Sequence, residues 1–258
     1  MAGEELVSKS RISELKVIFF DLDGTLTDYE ASVDYAAAKL WEGIKDICPL
    51  DLESFLRAQW DFLAELEEKD ARGEIPRTLL KDRRARTEKF LRSLGPGLVE
   101  RFKDVGEVYT RYRREGLRLY PGTAEVLAEL GKRYALGIIT EGDGQMQRTQ
   151  LREAGLVGFD YVVISDEVGL HKPDAALYRM ACEMAGVRPH QAALVGDRID
   201  WDIVPAASIG MLTVLCRQQR HYRRQEVDRG QADYTIGNIK ELLAILNWLQ
   251  HRVHQTVK

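Results

Sequence analysis

The chain has 258 residues, of which 45% are hydrophobic and 30% are charged, and these proportions exclude a disordered or fibrous protein. Its 37 Lys and Arg residues against 41 Asp and Glu residues give a net charge of -4, so no overall charge attracts it to nucleic acid polymers or to membranes. No apolar run reaches the about 18 residues of a membrane span and residues 1–16 contain no secretory signal, so we expect a soluble, cytoplasmic protein whose partner is a small molecule.

The first predicted element is a strand at residues 16–21, where the sequence KVIFFD is nearly continuous in apolar residues. Such a run suits a strand that is covered on both faces. Similar runs recur, separated by segments of helical period, at residues 135–140, 161–165, 192–196 and 211–215. This alternation predicts βα units that build a parallel sheet, and therefore the α/β fold class. A polar, arginine-rich segment at 217–230 precedes a last strand near Tyr234 and a final helix at 239–249.

An inserted helical region is predicted between Asp28 and about Gly116. No strand-like run occurs there, and the apolar residues follow the helical period. Asp51 is placed to cap one of about four helices. The aromatic residues Trp41, Trp60 and Tyr112 fall at helical spacing, which favours internal packing over stacking on a ligand, although both remain open.

Two carboxylates come directly after the first predicted strand, in the sequence Asp21-Leu22-Asp23-Gly24-Thr25. In parallel α/β sheets, ligands bind beyond the carboxyl ends of the strands. Side chains at i and i+2 point the same way while the chain is extended, and Gly24 frees the backbone to turn at once. Asp21 and Asp23 can therefore face one crevice, although acidic residues and glycine also occur where a strand simply ends in a turn.

Two further polar sites follow the ends of later strands. Thr140 ends the second predicted strand and leads into Glu141 and Gly142. A hydroxyl and free backbone amides at such a junction can bind phosphate oxygens. Lys172, which precedes Pro173, is a point charge suited to a phosphate. Taken alone, each site also has an ordinary structural explanation.

A last acidic site ends the fourth predicted strand. Asp197 follows that strand and Asp202 lies close behind it in the sequence GDRIDWD. Hard oxygen ligands grouped with Asp21 describe a magnesium site, which takes few protein carboxylates and keeps several waters. An aspartate that ends a strand can instead cap a helix. All four sites nevertheless fall at the ends of predicted strands, where one crevice would gather them.

These four ordered sites resemble the motifs of the haloacid dehalogenase superfamily: DLDGT, Thr140, Lys172-Pro173 and the GDRIDWD segment. The stretch at residues 140–178 is similar to family phosphatases that act on nucleotides and on acylneuraminate phosphate. Glu141 differs from these relatives, which usually have Asn there. The resemblance implies a Rossmann-like parallel core formed by residues 1–27 and 119–258, with an all-helical cap inserted at residues 28–118.

The resemblance also implies a mechanism for hydrolysing a small phosphorylated metabolite, such as a sugar phosphate or a nucleoside monophosphate. Asp21 would be the nucleophile and form an aspartyl phosphate that water hydrolyses. Asp23 would be the general acid and base, and Lys172 would supply positive charge. A monomer or a homodimer is expected.

Ligand-binding residues are implied in the same way. Mg²⁺ would be held by Asp21, Asp197 and the backbone carbonyl of Asp23, because three acids facing a phosphate would repel it without a cation. Asp202 would support Lys172 or the metal shell. The residues implied to bind phosphate oxygens are Gly24, Thr25, Thr140, Lys172 and the backbone of Glu141 and Gly142.

Three alternatives to a phosphatase remain. A dehalogenase needs neither the second aspartate nor a metal, so the presence of Asp23 disfavours it. A phosphomutase acting on a sugar phosphate would use the same residues. A catalytically silent module that binds a phosphorylated metabolite would gain nothing from a nucleophile and an acid at i and i+2.

Three cysteines are scattered along the chain, at Cys48, Cys182 and Cys216. Their number is odd and their spacing is not that of metal ligands. We expect reduced, buried thiols.

Overall fold

The structure is a computed structural model that describes residues 14–76, 78–79, 82–219 and 230–247. The chain divides into two compact units. The sheet unit comprises the chain up to Asp28 and from Leu119 onward, and the helical unit comprises Tyr29–Arg118. None of the helices in the described part of the chain is long and apolar enough to span a membrane.

The sheet unit contains a parallel sheet, which confirms the predicted α/β class. Within the described residues it has six strands in the order β3-β2-β1-β4-β5-β6. The strands are β1 Val17–Phe20, β2 Ala135–Thr140, β3 Tyr161–Ile164, β4 Ala192–Gly196, β5 Leu212–Cys216 and β6 Tyr234–Ile236. Two parts of the predicted C-terminal region lie outside the described residues. These are positions 220–229 of the polar, arginine-rich segment 217–230 and residues 248–249 of the predicted last helix.

The helices are numbered along the whole chain. The helical unit contains α1 Tyr29–Ile44, α2 Leu52–Ala71, α3 Arg83–Leu94 and α4 Val105–Glu115, with a 3₁₀ turn at Val99–Arg101. The sheet unit contains α5 Thr123–Leu130, α6 Gly144–Glu153, α7 Ser165–Val168, α8 Ala175–Met184 and α9 Val204–Ser208, with a π-helical turn at Ile199–Ile203. Residues 241–247 are also helical.

Strand β1 is buried along its whole length because both faces of the sheet are covered. Its side chains alternate between two apolar clusters, as the pleat of a strand requires. Ile18 and Phe20 belong to one cluster, and Val17 and Phe19 belong to the other. On the neighbouring strand β2, a Cβ at Gly137 would lie 2.4 Å from the Phe19 ring. A side chain at position 137 would displace the buried Phe19 ring, so glycine lets β2 pack closely against β1 at this pair of residues.

The helical unit has a core of its own. The ring of Phe90 packs against Phe55 at 5.1 Å and against Phe62 at 5.4 Å between centroids. Trp41 and Tyr112 pack partly buried against the same cluster, which confirms internal packing for these two aromatics. The predicted cap at Asp51 is also confirmed, because its side chain accepts a hydrogen bond from the Ser54 N–H at 2.8 Å.

The three cysteines are free thiols. Cys182 and Cys216 are buried in the sheet unit, as predicted. Cys48 is only half-buried, so the prediction of burial is wrong for this residue. It lies in the segment between α1 and α2 and packs partly buried against the apolar cluster of the helical unit.

Candidate active site

The predicted site residues lie along one edge of the sheet. Asp21 follows β1, Thr140 ends β2 and Asp197 follows β4, while Lys172 lies between α7 and α8. Because all these strands are parallel, their carboxyl ends meet at the same edge. The structure therefore places the four segments where a ligand of an α/β protein binds.

Lys172 is the centre of a buried charge cluster. Its Nζ lies 2.7 Å from Asp21 Oδ1 and 2.6 Å from Asp202 Oδ1. The side chains of Lys172 and Asp202 are 2% and 1% exposed, and that of Asp21 is 10% exposed. Charged groups are this deeply buried only when they are paired, so two acids and one lysine form a single interacting unit.

The electrostatics of this unit leave an excess of negative charge. Burial is the largest cause that raises the pKa of the Asp21 carboxyl; the Lys172 ammonium opposes this shift and the Asp202 carboxylate adds to it, so that the pKa is raised to about 6. Burial alone would lower the pKa of Lys172, but the carboxylates of Asp202 and Asp21 hold that pKa well above its ordinary value. One ammonium therefore stays charged between two acids, which it neutralises incompletely.

A third carboxylate joins the cluster. Three carboxyl oxygens, one each from Asp197, Asp21 and Asp202, lie within 4.8 Å of one another. Carboxylate oxygens are the ligands that Mg²⁺ prefers. Both oxygens of Asp202 accept hydrogen bonds, from Lys172 Nζ at 2.6 Å and from the Arg198 N–H at 3.1 Å. This donor set fits a small divalent cation.

Asp23 is held by two side-chain donors that the sequence did not indicate. Thr27 Oγ1 donates to Asp23 Oδ1 at 3.0 Å, and Gln150 Nε2 donates to the same oxygen at 2.5 Å. Gln150 lies on α6, more than a hundred residues along the chain, so no local pattern could have identified it. Both contacts fix the carboxyl group of Asp23, which belongs to the loop after β1 (the β1 loop).

The turn after β1 requires glycine. Gly24 has a φ of +94°, which L side chains rarely adopt, and a Cβ there would lie 2.6 Å from Asp197 Oδ2. Thr25 follows, and its Oγ1 donates to Asp21 Oδ2 at 3.1 Å. The glycine thus lets the β1 loop approach the β4 loop closely enough to bring Asp21 and Asp197 together.

Glu141 contacts the lysine segment with its side chain. Glu141 Oε2 accepts a hydrogen bond from the Lys172 backbone N–H at 3.0 Å, and Oε1 lies 3.1 Å from His171 Nδ1. The Gly142 N–H donates to Ser165 Oγ at 2.9 Å, so a phosphate bound there would compete with that hydroxyl. Glu141 therefore connects the β2 loop to Lys172, an arrangement that the sequence did not predict.

The π-helical turn after β4 is fixed from two sides. A Cβ at Gly196 would lie 2.5 Å from the Cβ of Asp202, so only glycine lets this turn fold back on the strand. The Tyr178 hydroxyl donates to the Trp201 carbonyl. Arg198 lies 3.9 Å over the Trp201 ring. Turns of this type often occur at functional sites, and this one holds Asp202 against Lys172.

Two glutamines after β5 also contact the loop after β1. Gln219 Nε2 lies 2.8 Å from Gly24 O and 2.8 Å from Asp197 Oδ2. Gln218 Nε2 lies 2.7 Å from Thr25 O. Neither residue is recognisable from the sequence, because glutamines in a polar segment have no spacing that is typical of a site.

Comparison with known proteins gives a family and several relatives. The model of the haloacid dehalogenase-like hydrolase family matches residues 15–210. The glyceraldehyde 3-phosphate phosphatase of Pyrococcus furiosus is 30% identical over 236 residues, covering 90% of this chain and 93% of the relative. The phosphoserine phosphatase of Thermus thermophilus is 37% identical over 148 residues, covering 57% of this chain and 58% of the relative.

A solved structure extends this similarity to the fold. The HAD phosphatase from Thermococcus onnurineus superposes with a TM-score of 0.63 at 27% sequence identity. The match covers 90% of this chain and 98% of that protein. The similarity therefore extends through both units and is not confined to the strand ends.

Proposed function

Because the chain belongs to the haloacid dehalogenase-like hydrolases, we propose that it is a magnesium-dependent phosphatase that hydrolyses a small phosphomonoester with Asp21 as the nucleophile. The family predicted from the four motifs is confirmed. The observation that carries the proposal is the buried contact of Lys172 with Asp21 and Asp202 at the carboxyl edge of the sheet, beside Asp197. A binding module would gain little from burying a nucleophile and two further charges in this way.

Asp21 carries out the first half of the reaction. A carboxylate oxygen of Asp21 attacks phosphorus, an aspartyl phosphate forms and the bond to the alcohol oxygen breaks. Asp23 gives its proton to that leaving oxygen. The hydrogen bonds from Thr27 and Gln150 support this role because they hold the Asp23 carboxyl group in one orientation.

Asp23 then acts in the second half as a base. It takes a proton from a water molecule, whose oxygen attacks the phosphorus of the aspartyl phosphate. The bond between phosphorus and the Asp21 oxygen breaks, so inorganic phosphate is released and the Asp21 carboxylate is restored. The same carboxyl group of Asp23 therefore returns to its starting protonation state.

The cation and the phosphate are assigned to neighbouring groups. Asp21, Asp197 and the Asp23 backbone carbonyl would hold Mg²⁺, which supplies positive charge that offsets the carboxylates and the phosphate. Lys172 supplies the remaining fixed positive charge and is kept in place by Asp202. The groups proposed to bind phosphate oxygens are Gly24, Thr25, Thr140 and the backbone amides of Glu141 and Gly142, of which the Gly142 N–H would exchange its hydrogen bond with Ser165 Oγ for one with the phosphate.

The names of the relatives support only a broad substrate class. Two of them are named for glyceraldehyde 3-phosphate and for phosphoserine, which are both small phosphomonoesters but differ in the rest of the molecule. We therefore propose a small phosphorylated metabolite as the substrate. Residues that choose between such metabolites are assigned by resemblance to the helical unit.

The test is release of inorganic phosphate from a panel of sugar phosphates, nucleoside monophosphates and phosphorylated hydroxy acids. Each ester is assayed with magnesium and with a chelator. We expect magnesium-dependent release by the native protein and none by Asp21→Asn. Asp160→Asn is the matched control, because its side chain accepts from Leu136 N–H at the opposite edge of the sheet.

Three outcomes contradict the proposal. Release that persists in Asp21→Asn would exclude Asp21 as the nucleophile. Release unaffected by the chelator would exclude the metal requirement. Conversion of a sugar phosphate into an isomer without free phosphate would identify a phosphomutase.

A further inference from the structure

The side-chain amide of Gln219 connects two loops of the candidate site. Gln219 follows β5, and its Nε2 lies 2.8 Å from the carbonyl oxygen of Gly24 and 2.8 Å from Asp197 Oδ2. The approach is close, because a Cβ at Gly24 would lie 3.0 Å from the same Nε2. One amide group with two hydrogens can serve both oxygens, so it holds the loops after β1 and β4 at a fixed separation.

The chemical character of this donor matters for a metal ligand. An amide is uncharged, so it orients the Asp197 carboxylate without neutralising it. A lysine or arginine at this position would compete with a cation for Asp197. Gln219 engages Oδ2 of Asp197, and a carboxyl oxygen of Asp197 lies within 4.8 Å of oxygens of Asp21 and Asp202. The arrangement preserves negative charge where a cation would need it.

The preceding residue anchors the segment that carries this amide. Gln218 Nε2 donates to Thr25 O at 2.7 Å, and Gln218 Oε1 accepts from the Ile239 N–H at 2.9 Å. The backbone at 218 is thereby tied to both the β1 loop and the start of the last helical segment. Gln219 therefore projects from a segment that Gln218 anchors on two sides.

We propose that Gln219 is a positioning residue that orients Asp197 for the divalent cation. The proposal rests on the proposed function, since it assumes that Asp197 is a metal ligand. Partners that hydrogen-bond to ligating carboxylates typically contribute about 10- to 100-fold to metal affinity. Gln219 contacts neither the nucleophile nor Lys172 among the contacts described, so its effect should fall on metal binding more than on the chemical step.

The experiment measures magnesium affinity directly. The full chain is titrated with Mg²⁺ by calorimetry in the absence of any ester, for the native protein and for Gln219→Met, which keeps the length of the side chain and removes the donor. We expect the Kd for Mg²⁺ to rise about tenfold. The matched control is Gln191→Met, at the opposite edge of the sheet, where Gln191 Oε1 accepts from the Arg188 N–H.

Two further measurements keep the outcome interpretable. Thermal unfolding in chelator checks that Gln219→Met is folded, and Gln219→Ala serves as a second variant with the same expected loss of affinity. Raising the Mg²⁺ concentration should recover most of the phosphate release that Gln219→Met loses at limiting Mg²⁺, because the affinity that this variant loses is for the metal.

The outcomes separate this inference from the proposed function. An unchanged Kd for Mg²⁺ in Gln219→Met would overturn the role of Gln219, and so would an equal loss in Gln191→Met. A native protein that binds Mg²⁺ but releases no phosphate would contradict the phosphatase proposal alone. A native protein that does not bind Mg²⁺ would overturn both.

Discussion

The sheet unit and the helical unit differ in how they accommodate buried polar side chains. In the sheet unit, buried charges from distant segments contact one another: Lys172 lies between Asp21 and Asp202. In the helical unit, buried polar groups join two helices: Arg113 Nε donates to Ser32 Oγ at 2.8 Å, while Gln59 Nε2 donates to the Tyr109 hydroxyl at 3.2 Å. The first arrangement concentrates charge at one edge, whereas the second fixes helix packing.

Ion pairs of the helical unit and the ion pairs of Lys172 differ in how far they are exposed to solvent. Pairs such as Arg57 with Glu53 and Arg84 with Asp104 in the helical unit are largely exposed, and such pairs contribute about 0–1 kcal/mol each. The pairs of Lys172 are almost fully buried. The helical unit also buries charged side chains, Glu30 and Arg113, so burial of charge does not by itself distinguish the two units. Buried charge is costly unless it is paired, and at the sheet edge the Lys172 ammonium contacts two buried carboxylates directly.

The largest predicted effect is that of Lys172→Met. Removing the ammonium leaves Asp21 and Asp202 buried without a cation, and breaking such a pair costs about 3–5 kcal/mol of unfolding free energy. Urea denaturation of the metal-free protein measures this loss, and phosphate release should also disappear. The matched control is Lys132→Met, whose exposed pair with Glu129 should contribute at most about 1 kcal/mol.

The contrast between buried and exposed ion pairs would be contradicted if Lys172→Met were as stable as Lys132→Met. That result would mean that Asp21 and Asp202 are hydrated or protonated at little cost. Addition of Mg²⁺ to Lys172→Met should recover part of the lost stability, because a cation held by Asp21 and Asp197 offsets the same excess charge.

In the helical unit, the corresponding change is Phe90→Ala. The ring is 2% exposed and contacts two other aromatic rings, so we expect a loss of about 3 kcal/mol. Denaturation measures this change, and Mg²⁺ titration of the folded variant should give the native Kd. A change in Mg²⁺ affinity as large as the tenfold effect expected for Gln219→Met would contradict the separation of packing from metal binding.

A smaller effect is predicted for Glu141→Ala. This change removes the acceptor of the Lys172 N–H and the partner of His171, and hydrogen bonds to charged groups contribute about 2 kcal/mol. Glu141→Gln keeps an acceptor oxygen for the Lys172 N–H, so it should lose less stability and retain more kcat. If the two variants behaved alike, the contact with Lys172 would have no role in holding that segment.

The smallest predicted difference concerns the thiols. Burial raises the pKa of Cys182 to about 11 and also raises the pKa of Cys216, and the thiolate is the reactive form. At about pH 8 we expect a thiol reagent to label the half-buried Cys48 first, because the two thiols of the sheet unit stay protonated and covered. Peptide mass spectrometry after brief labelling measures this order, and labelling in urea should reach all three. Equal rates in the folded protein would contradict the packing of the sheet unit.

Much of the sheet could be predicted because its strands are covered on both faces. Residues 135–140 and 192–196 were predicted with the bounds that β2 and β4 have. The strand at 161–165 was one residue too long, because Ser165 already begins α7. Apolar continuity identifies a buried strand well but does not mark the residue where a helix starts.

Part of the site could be predicted because its residues directly follow strands, as Asp21 follows β1 and Asp197 follows β4. Lys172 lies between α7 and α8, so it is identified by the family resemblance and not by the end of a strand. Gln150 and Gln219 are identified by neither, since their partners Asp23 and Asp197 are brought to them by the tertiary fold. The surrounding sequence of a glutamine is the same whether or not its side chain orients a carboxylate, so only the coordinates reveal this role.

The central claim is that Asp21 accepts the phosphoryl group. The most direct measurement is rapid acid quenching of the protein during turnover of the best ester, followed by peptide mass spectrometry of the segment that contains Asp21. We predict a phosphoryl group on Asp21 in the native protein and none in Asp21→Asn. Turnover by the native protein that never places a phosphoryl group on Asp21, under conditions where an aspartyl phosphate survives quenching, would contradict the account.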